Sequence, residues 1–112
     1  MKTELRFINE ETKQSFLSLS KSEKQEDLRL FKKLTHVFER LKSNSFCGIQ
    51  IPKKQIPDYY TKLFGQLPNL WKYNLSGSMR LIYFISSNED EVMSVIVEWM
   101  NHHEYENRFG YH

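Results

Sequence analysis

The longest regular pattern in the chain is an apolar stripe. Leu28, Phe31, Leu34, Phe38 and Leu41 recur at spacings of three and four, which predicts an amphipathic helix ending near Lys42. The stripe lasts only about two heptads, too short for a coiled coil, so it reads as a face buried in a core. Ser20 and Glu23 have the spacing of a capping box, which starts this helix near Lys21 or Ser22 and separates it from an earlier one. In that earlier helix Asn9 is the cap, Glu10 and Glu11 suit the positive end of the helix dipole, and Phe16, Leu17 and Leu19 face inward up to about Leu19. Before it, Glu4 to Ile8 alternates like a short strand or an extended lead-in.

Past Asn69 the period changes from helical to two, and three strands are expected: Leu70 to Leu75, Met79 to Ile85 and Val92 to Met100. Ser76-Gly77-Ser78 and Ser87-Asn88-Glu89-Asp90 supply turns short enough to make neighbouring strands antiparallel. Met79 to Ile85 is apolar on most of both faces, as a central strand would be. Between Asn44 and Asn69, Gly48, Pro52, Pro57, Gly65 and Pro68 break any long period, leaving room for a helical turn near Tyr59 to Phe64. A connection of this length in a small domain is more often functional than a short one, which draws attention to Lys53 and Lys54. The stretch from Asn101 to His112 has no long apolar period. The pattern predicts a single α+β domain over residues 1–112, with an N-terminal strand and two-helix hairpin packed on a C-terminal antiparallel sheet.

Composition agrees with a core that needs no staples: 39% of residues are hydrophobic, among them eight Phe, six Tyr and two Trp. The single cysteine, Cys47, excludes an internal disulfide and agrees with a reducing compartment. The opening Met1-Lys2-Thr3-Glu4-Leu5-Arg6 has no apolar signal region, and no apolar run is long enough to span a bilayer, so a cytoplasmic protein without membrane contact is expected. A net charge of +2 is too small to argue for nucleic-acid binding in bulk, so any basic surface must be local.

Local chemistry is concentrated near the chain's end. If the strands pair as their turns imply, Lys72, Arg80 and the run His102-His103-Glu104-Tyr105 converge. Such a cluster can cleave a phosphodiester with the substrate's own 2′-hydroxyl and no metal: His or Tyr moves protons, and Arg holds the crowded phosphate in a bidentate fork. The competing reading has Lys72, Arg80 and Glu98 as cross-strand ion pairs on a solvated face, with the histidines as ordinary surface residues. A zinc site from Glu98, His102, His103 and His112 lacks the paired cysteines or helical His-Glu-x-x-His spacing that would support it, so neither metal nor cofactor is expected. Cys47 has no base near it in sequence, and Gly48 and Gly77 do not build a phosphate loop. Trp71, Tyr73, Phe109 and Tyr111 can either fill a core or stack on exposed bases.

The stretch Trp71-Lys72-Tyr73-Asn74-Leu75, then Gly77 and Arg80-Leu81-Ile82-Tyr83, is similar to the hairpin of the RelE branch of the RelE/ParE superfamily, toxins of toxin-antitoxin pairs. Val95-Ile96-Val97-Glu98-Trp99 followed by His102-His103-Glu104-Tyr105 resembles that branch's last strand and its catalytic residues. The resemblance implies a toxin of a type II system: an endoribonuclease that cuts messenger RNA on the ribosome, silenced by a cognate antitoxin. It implies Lys72 and Arg80 on the scissile phosphate and His103 and Tyr105 in proton transfer or base stacking, with His102, Arg108 and Tyr111 as further RNA contacts beside Lys53 and Lys54. Lys32, Lys33, Arg40, Lys42, Lys53 and Lys54 then make up a candidate basic face. A non-enzymatic module on the same fold, such as a ParE-type poison of a DNA topoisomerase or a degenerate partner-binding member, is the alternative. An unrelated interaction domain presenting the long helix is a third.

Overall fold

A computed structural model describes residues 2–110. The N-terminal strand β1 is Lys2–Phe7 and the first helix α1 is Glu10–Leu19, capped by the Asn9 side chain, which accepts from the Thr12 amide at 2.8 Å. The second helix, α2, is Gln25–Ser43 and starts later than the Ser20–Glu23 spacing predicts. The reason is local: the Ser20 hydroxyl turns back to the Leu17 carbonyl at the end of α1 (2.7 Å) and is not available to cap α2. Ser22 braces the turn instead, donating to the Asp27 carboxylate at 2.6 Å and accepting from the Lys24 amide at 3.1 Å.

The rest of the chain forms β2 (Ile49–Gln50), α3 (Asp58–Phe64), β3 (Trp71–Asn74), β4 (Met79–Ser87), β5 (Glu91–Asn101) and α4 (His102–Phe109). The sheet has five strands in the order β1-β5-β4-β3-β2 and is mixed, not antiparallel throughout. The exception is β1, which runs parallel to β5 from Lys2 opposite Glu91 to Phe7 opposite Ile96. Parallel neighbours need a long crossover, and everything from α1 to β4 lies between these two strands in the chain.

Both faces of the sheet are covered. On the first, Leu34, Val37, Phe38 and Leu41 of α2 pack on Leu81, Tyr83, Ile85 and Ile96, with Phe16 of α1 stacked on Phe31 at 4.8 Å. On the second, Ile82, Val97 and Met100 lie under Tyr60 of α3, Tyr105 and Phe109 of α4, and Ile51, Leu67 and Leu70 of the long connection. Central β4 therefore feeds two cores, in accord with its two-sided apolar pattern. The pairing of β4 with β5 slips between Ile82, opposite Glu98, and Tyr83, opposite Ile96, so Val97 is left over as a bulge. That bulge sets Val97 into the second core and turns Glu98 towards α4.

Helix α4 is the element that the apolar pattern missed. Asn101 and Glu104 form a reciprocal capping box (2.8 and 3.0 Å), Gly110 ends the helix with φ +75°, and only Tyr105 and Phe109 are buried. Among the described residues no helix is long and apolar enough to cross a membrane.

Candidate functional site

Lys72 and Asn74 of β3 face Ile82 and Arg80 of β4 across the ladder, so period two puts Lys72 and Arg80 on the same face as Ile82, the face that α4 covers. Because Asn101 ends β5 opposite Met79, the first turn of α4 starts beside Arg80. The Arg80 guanidinium donates to His102 Nδ1 at 3.3 Å, and His102 Nε2 meets the Glu106 carboxylate at 2.5 Å. Glu106 thus favours the tautomer with the proton on Nε2 and leaves the Nδ1 lone pair on the Arg80 side.

Tyr105 lies beneath the two cations. Its ring is 4% exposed and stacked on Phe109 at 4.4 Å, its hydroxyl accepts from Lys72 Nζ at 3.2 Å, and the Lys72 and Arg80 head groups lie 5.0 and 5.8 Å from its centroid. Among the described residues no carboxylate pairs with Lys72 or Arg80. Glu98, the cross-strand partner considered for them, instead accepts from Arg108 at 2.6 Å, and Arg108 stacks over Tyr59 at 3.6 Å. Two half-buried cations on one aromatic ring, unmatched by an acid, form a site that gains by receiving an anion.

Beside the Glu98–Arg108 pair, the Tyr60 hydroxyl is buried without a hydrogen bond among the described residues. Burial, and then the negative charge of Glu98, push its pKa well above the ordinary phenol value.

The other predicted residues are dispersed. His103 is exposed and turned to Asn107, one helical turn on, at 3.3 Å. Arg108 is engaged by Glu98, and Lys53 and Lys54 are exposed on a short 3-10 turn of the connection. Ile51 and Ile56, on either side of that turn, pack into the second core, so Lys53 and Lys54 do not join Lys32, Lys33, Arg40 and Lys42 of α2 in one basic face. Tyr111, with His112, lies outside the described residues. Among the described residues no three His, Cys, Asp or Glu side chains gather as a metal-binding group. Glu106 is the member that the sequence pattern did not reveal; its i+4 spacing from His102 carries meaning only once α4 is known to be a helix. No protein-family model, curated protein or solved structure matches the chain.

Proposed function

We propose that this chain is the toxin of a type II toxin-antitoxin pair, a RelE-like, metal-independent endoribonuclease that cuts messenger RNA on the ribosome in the cytoplasm and is silenced by a cognate antitoxin. The observation that carries the reading is the convergence of Lys72 and Arg80 on the Tyr105 ring with His102 against Arg80, both cations free of carboxylates among the described residues and His102 braced by Glu106. In this reaction His102 Nδ1 takes the proton of the 2′-hydroxyl, the 2′-oxygen attacks phosphorus as the bond from phosphorus to the 5′-oxygen breaks, and the 5′-oxygen takes a proton from water, giving a 2′,3′-cyclic phosphate and a 5′-hydroxyl. Arg80 and Lys72 hold the charge that builds on the phosphate oxygens. Tyr105 acts as the platform that fixes both cations.

The test is messenger RNA integrity, read by primer extension after brief induction of wild type, R80A, H102A and H103A. Cuts within codons are expected in wild type, absent in R80A, and reduced by about a hundredfold or more in H102A, the usual range for loss of a general base. H103A should stay within about tenfold of wild type, since a surface side chain outside the cluster takes no part in the proton transfer. Intact message with arrested growth would turn the reading towards a bound target such as a topoisomerase; no growth effect at all would end the toxin reading.

A further inference from the structure

A second cationic surface lies on the opposite face of the sheet. On α2, Lys33, His36 and Arg40 recur at helical spacing and span about 10 Å along one side. They flank β3: the Arg40 guanidinium sits 5.7 Å over the Tyr73 ring, and Lys33 Nζ donates to the Ser76 carbonyl at 3.1 Å. Between helix and strand runs a groove of about 200 Å³ whose polar walls are Lys33, His36, Tyr73, Asn74 and Ser76, with no carboxylate. Trp71, the next residue on the same side of β3 as Tyr73, is half-buried and meets the 57%-exposed Phe46 edge-on at 5.8 Å.

The edge of the sheet decides where this surface leads. Strand β2 pairs only with Trp71 and Lys72, so its ladder stops short of the exposed Asn74 and leaves that end of the β3 edge open. Asn74 belongs to both places, since it lines the groove and pairs in register with Arg80. A flexible polyanion seated in the groove can pass over this open edge and reach Arg80 and Lys72 without crossing an acidic side chain of the groove.

We infer that the α2–β3 groove is the entry track for single-stranded RNA, its phosphates on Lys33 and Arg40 and its bases against Tyr73 and the Phe46–Trp71 pair, with the strand turning over Asn74 into the Arg80 site. Cations interleaved with aromatic rings are the chemistry of single-strand binding. The identity of the strand as RNA rests on the ribonuclease reading; the track itself does not.

The probe is a fluorescein-labelled 12-nucleotide RNA with 2′-O-methyl at every sugar, which binds but cannot be cut, followed by anisotropy over a salt series with the full chain. Neutralising one cation that holds a phosphate should lower the salt slope by about 0.7, so K33Q/R40Q is expected to lower it by about 1.4, with K33R/R40K restoring it. The control K13Q/K62Q removes two exposed lysines from α1 and α3 and should leave the slope near that of wild type. The inference is overturned if wild type does not bind the probe, if the control reduces the slope as much as K33Q/R40Q does, or if the charge-preserving variant fails to restore binding. A reduced slope in K33Q/R40Q together with uncut message in cells would sink the ribonuclease reading and leave the track standing. Cut message with an unchanged slope would do the reverse.

Discussion

Replacing Tyr105 separates a platform from a proton carrier. The ring is 4% exposed, stacked on Phe109 at 4.4 Å, and bears Lys72 on its hydroxyl. Y105A removes a buried aromatic side chain and its stack, which costs about 3–5 kcal/mol, a large part of the stability of a domain this size. Y105F keeps the ring, the stack and the apolar contacts and removes one hydrogen bond from a half-exposed lysine, about 1 kcal/mol, or about 4 °C in Tm. If Tyr105 only holds the cations, Y105F should cut message within about tenfold of wild type, because Arg80 and the Arg80–His102 contact are untouched. If its hydroxyl moves a proton in the reaction, cutting should fall by about a hundredfold or more. Urea and thermal unfolding, with primer extension on the same variants, read both arms. A Y105F protein that loses no more than about 4 °C in Tm yet cuts a hundredfold less would refute the platform assignment.

Two further substitutions probe the frame that holds the site. A Cβ on Gly48 would collide with the Tyr83 hydroxyl and stand 2.7 Å from the Lys72 carbonyl, so G48A should cost about 2–4 kcal/mol through overpacking and disruption of the Tyr83 hydrogen bonds. G110A meets open space in the left-handed region (φ +75°, ψ 21°) and should cost only about 1 kcal/mol, so urea melts ranking G110A as the worse variant would contradict the packing argument. Y60F should stabilise by about 1 kcal/mol, since the Tyr60 hydroxyl is buried without a hydrogen bond among the described residues. Y60F also has a pH signature. Burial raises the pKa values of Tyr60 and Tyr83 above the ordinary 10.0, helped by Glu98 near Tyr60 and Cys47 near Tyr83. Their contribution is complete below about pH 10 and falls as pH rises further, by up to about 1.4 kcal/mol per unit for each phenol, because the unfolded chain ionises first. Y60F should remove one of those two slopes between about pH 10 and 11 in urea midpoints; an alkaline limb as steep as wild type's would show that Tyr60 contributes nothing to it.

What the sequence discloses of this fold follows the range of the forces involved. Leu34, Phe38 and Leu41 are legible from spacing alone and are buried, because a helix face repeats locally. The partner of β1 is not legible: its direction beside β5 is fixed by a crossover that includes most of the chain. Helix α4 fails a hydropathy reading for another reason, since a short helix anchored by Tyr105 and Phe109 leaves too few apolar positions to show a period. Its signal was polar and local, Asn101 with Glu104 and then Gly110, whereas the same motif type at Ser20 and Glu23 misled because the Ser20 hydroxyl had a nearer acceptor.

The site divides the same way. That Lys72 and Arg80 share a face follows from period two and a short turn, and needs no tertiary information. Which histidine meets them does not, because adjacent residues diverge by about 100° on a helix and by about 180° on a strand, and the boundary between β5 and α4 falls at Asn101. A helix beginning at His102 brings that side chain to Arg80, brings Glu106 to the other ring nitrogen, and turns His103 to solvent. Net charge misleads for a related reason. At +2 the chain is nearly balanced, yet Glu4, Glu39 and Glu98 are engaged by neighbours away from both the Arg80 site and the α2–β3 groove, and Glu106 is engaged by His102 and not by either cation. Cations left unmatched in two places joined by an open strand edge can bind a polyanion that the total charge gives no reason to expect.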